Sequence, residues 1–208
     1  MKIIKFLLLA ILISGFASCF KKNESQNQGD QMNINKVSVK ELAIIKTSLG
    51  EMVLEFWDDC APKTVENFKK LARQNFYNGT CFHRIVRNFM IQGGDPLSKT
   101  DDPYVGTGGP GYQINAEFSN RKHEKGVISM ARSRDINSAG SQFFICLAST
   151  PSLDGQYTCF GKLIKGEDVL EKIGDTPVTR GPSGENSKPT VRVVVEEIKI
   201  VSANESLK

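Results

Sequence analysis

The sequence predicts a mainly β domain, in which antiparallel strands are covered at their openings by two helices. Short apolar segments separated by glycine recur through most of the chain, and only two stretches have apolar residues at helical spacing. No internal repeat is present. Many short strands with turn signals are typical of a barrel or a sandwich, and closure into a barrel would leave no exposed edge strand. The length of 208 residues, with 39% hydrophobic and 24% charged residues, suits one globular domain with appendages.

The domain begins with a predicted hairpin followed by a helix. Residues 42–47 and 52–56 are β-rich runs, and residues 48–50 between them read as a turn. Pro62 suits the first position of a helix. The apolar residues that follow it at helical spacing are Val65, Phe68, Leu71 and Ala72.

Beyond residue 79 the pattern returns to short apolar segments, and one further helix is predicted. That helix covers 167–173, where three apolar residues share one face, and Gly174 is expected to follow it as a C-terminal stop. The predicted strands lie within residues 82–92, 126–131, 142–148, 158–163 and 191–201.

The N-terminus has the layout of a secretory signal. Two lysines precede the apolar run 6–13, which is too short to span a bilayer, and small residues follow up to Cys19. Small residues before a cysteine resemble the bacterial lipobox, with Phe16 in place of the usual leucine. We therefore predict a signal peptide over 1–18 and a lipid on Cys19, which would anchor an exported protein to a bacterial membrane on the periplasmic or cell-surface side. Simple secretion is the alternative.

The remaining boundaries follow from composition. The polar, amide-rich segment 19–40 predicts a flexible tether, the domain is expected over 41–202, and 203–208 is a short tail. A formal charge of +4 without a clustered basic segment excludes a nucleic-acid binder. No cofactor is implied, and we expect a monomer.

The cysteines of the domain, an even number in an exported chain, allow disulfides, but buried free thiols are the preferred interpretation. No CxxC pair is present and neither histidine has a closely spaced ligand, so no metal site is predicted. The four residues are Cys60, Cys81, Cys146 and Cys159.

Residues 82–95, FHRIVRNFMIQGGD, resemble the signature segment of the cyclophilins. The resemblance extends over 42–201, and it implies that family's closed eight-stranded antiparallel barrel capped by two α-helices. It also implies peptidyl-prolyl cis-trans isomerase activity on proline-containing polypeptides, here exported proteins whose folding the enzyme assists. The other blocks that resemble the family, in order, are 61–68, 106–109, 126–146, 153–155 and 160–162.

The residue types in these blocks suit this chemistry. Rotation about a peptide bond meets a barrier of about 18–20 kcal/mol from amide resonance, and no bond breaks, so no nucleophile is needed. A fixed donor beside an apolar socket for the proline ring is needed instead. By resemblance, Arg84 addresses the prolyl group, Gln92 orients the arginine and contacts the substrate backbone, and Phe89 completes the catalytic set.

The resemblance also implies a set of substrate-binding residues. Aromatic and thioether side chains grip a proline ring without demanding hydrogen bonds, and an extended peptide binds along a backbone edge. The socket residues are Met90, Phe144, Leu153 and Tyr157, and the edge residues are Ala131, Arg132 and Gln142.

Two residues and one loop need separate interpretation. Ser152 stands where many cyclophilins have a large aromatic residue, which implies weak binding of cyclosporin. His83 is expected to face away from the arginine and to make a structural hydrogen bond. Residues 106–111 are glycine-rich, but no Walker lysine follows them, so we expect a turn-rich loop at the border of the groove and not a phosphate cradle.

Two other classes of function remain open from the sequence. The domain could bind peptides or act as a chaperone in the same groove without turnover, or it could be a structural scaffold at the surface. The intact Arg84, Gln92 and Phe144 favour an enzyme, since peptide binding alone does not require the Arg84 donor.

Overall fold

The computed structural model describes residues 40–181 and 184–204. The predicted signal peptide at 1–18, Cys19, the tether as far as residue 39, and residues 205–208 of the predicted tail lie outside this part of the chain. Within the described part, no helix combines the length and apolar character needed to cross a membrane.

Eight strands form one curled antiparallel sheet, in the spatial order β10, β1, β2, β7, β5, β6, β4, β3, and β8 pairs with β9 in a separate hairpin. Two α-helices of the described residues pack on the sheet. The strands are β1 Glu41–Thr47, β2 Gly50–Phe56, β3 Arg84–Val86, β4 Met90–Gly93, β5 Val127–Met130, β6 Phe143–Cys146, β7 Cys159–Lys165, β8 Val178–Arg180, β9 Asn186–Pro189 and β10 Val195–Ser202. The helices are α1 Pro62–Arg73 and α2 Glu167–Gly174.

The sheet is curled, but no ladder of the described residues joins β10 to β3. The ends are connected by an isolated bridge between Cys81 and Val194, flanked by a hydrogen bond from the Phe82 N–H to the Val193 oxygen at 3.0 Å. The predicted eight-stranded antiparallel sheet and two helices are confirmed. The described strands form a half-barrel and not the predicted closed barrel. Cys81 and Phe82, which contact the β10 side, precede β3, because that strand begins only at Arg84.

The two helices begin and end close to the predicted positions. α1 begins at Pro62 and buries the predicted apolar residues. Its Phe68 ring lies 5.3–5.9 Å from those of Phe56, Phe143 and Phe160. The sequence predicts Gly174 just after α2, whereas the structure has it as the last residue of that helix. A Cβ on Gly174 would lie 2.7 Å from Leu147, so glycine permits close packing here.

Two features escaped the sequence patterns. The predicted segment 82–92 contains two strands, β3 and β4, joined by a turn in which Asn88 has a φ of 59°. The β8–β9 hairpin was not predicted, because its strands are mostly exposed and lack an alternating apolar pattern.

Candidate active site

A small cluster of buried apolar side chains lies on the face of the sheet opposite the main core. Successive side chains of a strand point to opposite faces, so Ile91 and Ile145 enter the core while Met90, Phe144 and Cys146 face outward. We call these three residues, with the partly buried side chains packed on them, the outer cluster. The packed side chains are Val86, Phe89, Ala131, Leu153 and Tyr157.

The rings of the outer cluster are held at fixed angles. The Tyr157 ring meets the Phe144 ring edge-on, with centroids 5.8 Å apart and an interplanar angle of 82°. The His123 ring stacks on Phe144 at 6.0 Å and 13°. The structure therefore brings every predicted socket residue into one apolar surface, with Phe144 at its centre.

Arg84 stands at the rim of the outer cluster. It pairs across β3 and β4 with Gln92, just as Val86 pairs with Met90, so all four side chains share one face. The Arg84 Nη1 donates to Gln92 Oε1 at 3.2 Å and points at the Met90 sulfur at 3.5 Å. The Gln92 Nε2 donates in turn to Gln142 Oε1 at 3.0 Å. The guanidinium is thus anchored, while 34% of the side chain stays exposed.

Glu185 holds the other side of the same guanidinium. The Arg84 Nε donates to Glu185 Oε2 at 2.7 Å, and Nη2 donates to Glu185 Oε1 at 3.0 Å. These hydrogen bonds lower the pKa of the Glu185 carboxyl, against a smaller opposing effect of burial. Sequence reasoning missed this residue. Glu185 lies 101 positions from Arg84, in a hairpin that no pattern predicted, so the sequence carried no signal for the contact.

Two clefts meet at Gln92 and at the loop residues Gly106 and Thr107. The cleft of about 470 Å³ is lined by Arg84, Gln92 and the β8–β9 hairpin. The cleft of about 810 Å³ is lined by Gln92, the loop 106–111 and the three predicted edge residues. The loop therefore borders the groove, as predicted from the sequence. The edge residues are Ala131, Arg132 and Gln142.

The edge residues are themselves held in place. The Gln142 Nε2 donates to the backbone oxygens of Gly106 and Gly108 at 3.0 and 2.8 Å, so this amide binds the loop. The Ala131 N–H donates to the backbone oxygen of Gln142 at 3.0 Å. The Arg132 guanidinium lies 4.5 Å from the Tyr157 ring centre, in cation–π contact.

Asp95, the last residue of the signature segment, organises the loop. It is fully buried, and its Oδ2 accepts from the N–H groups of Gly106 at 2.5 Å and Gly108 at 3.1 Å. A Cβ on Gly108 would lie 2.2 Å from the Asp95 Oδ1. The loop conformation therefore requires glycine at this position.

A buried polar cluster supports Phe144 from behind. The His123 Nδ1–H donates to Asp154 Oδ1 at 3.1 Å, and the Cys159 sulfur lies 3.3 Å from His123 Nε2. Burial lowers the pKa of His123 and raises that of the Cys159 thiol to about 12. The imidazole is therefore neutral and the thiol protonated near neutral pH. Despite its resemblance to a catalytic triad, this cluster has a structural role.

The other histidine and the cysteines have the following environments. Both ring nitrogens of His83 are buried and have no hydrogen-bond partner of standard geometry within the described residues, although the ring interacts weakly with the backbone of Cys81. The four cysteines of the domain are free, and Cys81, Cys146 and Cys159 are buried. Over residues 40–181 and 184–204, no group of three or more His, Cys, Asp or Glu side chains could hold a metal ion.

Comparison with known proteins gives concordant matches. The family model for cyclophilin type peptidyl-prolyl cis-trans isomerase/CLD matches residues 42–200. A peptidyl-prolyl cis-trans isomerase of Helicobacter pylori is 46% identical over 136 residues, which are 63% of this chain and 78% of that protein. A probable peptidyl-prolyl cis-trans isomerase of Brucella abortus is 40% identical over 159 residues, which are 74% of this chain and 81% of that protein.

A solved structure matches as well. It is a cyclophilin type peptidyl-prolyl cis-trans isomerase of Cryptosporidium parvum, crystallised in the presence of the dipeptide Ala-Pro. It has a TM-score of 0.69 and 34% sequence identity to this chain, and the match covers 77% of this chain and 99% of that one.

Proposed function

The chain belongs to the cyclophilin-type peptidyl-prolyl cis-trans isomerase family and is an enzyme of that activity, and from this premise we propose that the outer cluster and the Arg84–Gln92 pair form its catalytic groove. One observation carries the proposal. A partly exposed guanidinium, anchored by Gln92 at 3.2 Å, lies on the same face as a buried aromatic and thioether surface. This places a fixed cationic donor beside an apolar seat for a proline ring.

The mechanism follows from the electronic structure of the amide. In the planar form the nitrogen lone pair is delocalised into the carbonyl, which gives a barrier of about 18–20 kcal/mol. In the twisted form that lone pair is localised on the prolyl nitrogen, where it can accept a hydrogen bond. An N–H of Arg84 directed at this nitrogen therefore binds the twisted form more strongly than the planar one. Because only such differential binding accelerates the step, the arginine lowers the barrier.

The other groove residues hold the substrate. Met90, Phe144 and Tyr157 enclose the proline ring, and Phe89 and Leu153 complete the apolar walls. Held in this seat, the ring stays fixed while the preceding carbonyl group rotates. Ala131, Arg132 and Gln142 lie along the larger cleft, where they border an extended peptide. Few contacts in this arrangement distinguish one substrate side chain from another, so a broad range of X-Pro peptides is accepted.

A titration followed by NMR tests this assignment. The probe is a proline-containing tetrapeptide, and its matched control has alanine in place of proline. The proline peptide should shift the methyl signals of Met90 and Leu153 and the ring signals of Phe144, while the control should shift them much less. Equal shifts with both peptides, or shifts confined to the opposite face of the sheet, would contradict the groove assignment.

We further propose that the enzyme is exported, is anchored through a lipid on Cys19, and acts as a monomer on exported proline-containing polypeptides. The support is the N-terminal apolar run and the small residues before that cysteine. Membrane fractionation of wild type and Cys19→Ala tests the anchor. The variant should leave the membrane fraction, and retention there would contradict lipidation. A secreted wild-type protein would favour simple secretion.

A further inference from the structure

Arg84 is held by a carboxylate that the isomerisation mechanism above does not use. Glu185, from the turn between β8 and β9, takes the Arg84 Nε and Nη2 in a two-point contact at 2.7 and 3.0 Å. We infer that Glu185 is a positioning residue: it fixes the plane of the Arg84 guanidinium so that the remaining N–H groups face the substrate. This inference rests on the proposed role of Arg84 as the donor.

The donors left on the guanidinium agree with this role. An arginine has five N–H groups, and Glu185 takes one from Nε and one from Nη2, while Gln92 takes one from Nη1. Among the described residues, the remaining Nη1 donor faces only the thioether of Met90, a weak acceptor at 3.5 Å. The N–H groups left for a substrate are thus on the two Nη atoms, while the oxygens of Glu185 and Gln92 hold the other N–H groups of the guanidinium.

Hydrogen bonds among described residues of the hairpin hold the backbone on either side of this carboxylate. The Gly181 N–H donates to the Glu185 backbone oxygen at 2.8 Å, and the Arg180 Nε donates to the Gly184 oxygen at 2.9 Å. β9 then packs against β3, the strand that carries Arg84. The hairpin outside the main sheet thus brings a carboxylate to the catalytic arginine.

The contact is better suited to orientation than to stability. The side chains of Arg84 and Glu185 are 34% and 37% exposed, and ion pairs at this exposure contribute little to folding. A small displacement of a catalytic group, in contrast, can reduce turnover by as much as about 100-fold. Loss of the carboxylate should therefore reduce kcat while the protein stays folded.

The test compares Glu185→Ala, Glu185→Asp and wild type in a protease-coupled tetrapeptide assay. We expect Glu185→Ala to lower kcat about tenfold with little change in KM, and Glu185→Asp to recover part of the loss. The matched control is Asn186→Ala, an exposed neighbour on the same hairpin, which should behave as wild type. On an Arg84→Ala background, Glu185→Ala should cost nothing further, because the carboxylate acts through the arginine.

A second readout does not depend on turnover. The ¹⁵N relaxation of the Arg84 Nε–H should report a rigid group in wild type and a mobile one in Glu185→Ala. An unchanged kcat in Glu185→Ala would overturn the inference, and so would a raised kcat, which would mean that the carboxylate blocks the arginine. A normal kcat in Arg84→Ala would instead overturn the proposed function, so the two failures are distinguishable.

Discussion

Two neighbouring phenylalanines on β6 provide a sharp test of how the sheet divides core from groove. Phe143 and Phe144 differ by one position and therefore point to opposite faces. Phe143 is 0% exposed in the main core, and Phe144 is 5% exposed in the outer cluster. Edge-on contacts at 5.5, 5.7 and 6.2 Å join the Phe143 ring to those of Phe68, Tyr77 and Phe82.

The two substitutions to alanine should differ in their effect on stability. Phe143→Ala leaves a sealed cavity and loses three ring contacts, which should cost about 3–5 kcal/mol, near the upper end. That is a large share of the roughly 5–15 kcal/mol that stabilises a typical domain. Phe144→Ala opens onto the groove, where water can enter, so only the transfer of its ring is lost, about 1.5–3 kcal/mol.

The effect on activity should run in the opposite direction. Phe144→Ala removes one aromatic wall of the proline seat, worth about 1.5 kcal/mol, which corresponds to about a tenfold loss of kcat/KM. Phe143→Ala should keep near-normal kcat/KM per folded molecule, since Phe143 faces the core.

Urea unfolding gives the stabilities, and the protease-coupled tetrapeptide assay gives the activity per folded molecule. Equal losses of stability in the two variants would contradict this division between core and groove. Wild-type kcat/KM in a folded Phe144→Ala variant would contradict it as well.

Three further predictions concern the surroundings of the groove. The pKa of Asp154 is lowered from 3.8 to about 2, chiefly by the backbone N–H of His123, so this carboxylate stabilises the fold above pH 3.8 and that contribution is lost as the pH falls towards 2. Asp154→Asn should therefore show a smaller change in urea midpoint between pH 4 and 2 than wild type, and an equal change would contradict the assignment. Gly108→Ala places a Cβ 2.2 Å from the carboxylate that holds the loop and should raise KM, whereas Gly109→Ala, with no atom within 4 Å of its Cβ, should not; equal effects in kinetics would contradict the loop's role. Ser152→Trp should bind cyclosporin about tenfold tighter by calorimetry, and unchanged affinity would show that this exposed position does not face the groove.

Local patterns were sufficient to predict most of the fold. Pro62 and the apolar residues after it lie in α1, and the hairpin at the start of the domain is β1 and β2. These elements follow from neighbours in sequence, where spacing decides which face is buried. The end of α2 was harder, because Gly174 has a role in packing against Leu147 that only the tertiary structure shows.

The candidate site, too, could be predicted from the sequence only in part. The resemblance identified residues that the structure brings together, since Met90 and Phe144 lie in one cluster beside Arg84 and Gln92. It gave no sign of Glu185, because that contact joins β3 to a hairpin whose strands have no apolar pattern. Contacts between distant, exposed and polar residues leave no periodic trace in a sequence.

The measurement that tests the account most directly is the turnover of Arg84→Ala, with Arg84→Lys as its conservative partner. Both variants should remain folded and bind the proline tetrapeptide, because the outer cluster is intact. Turnover of Arg84→Ala should fall about 10²- to 10³-fold, as expected when one preorganised donor is lost. Turnover of Arg84→Lys should also be low, since an ammonium lacks the planar fork. Near-normal turnover in Arg84→Ala would contradict the central claim that this guanidinium drives the rotation.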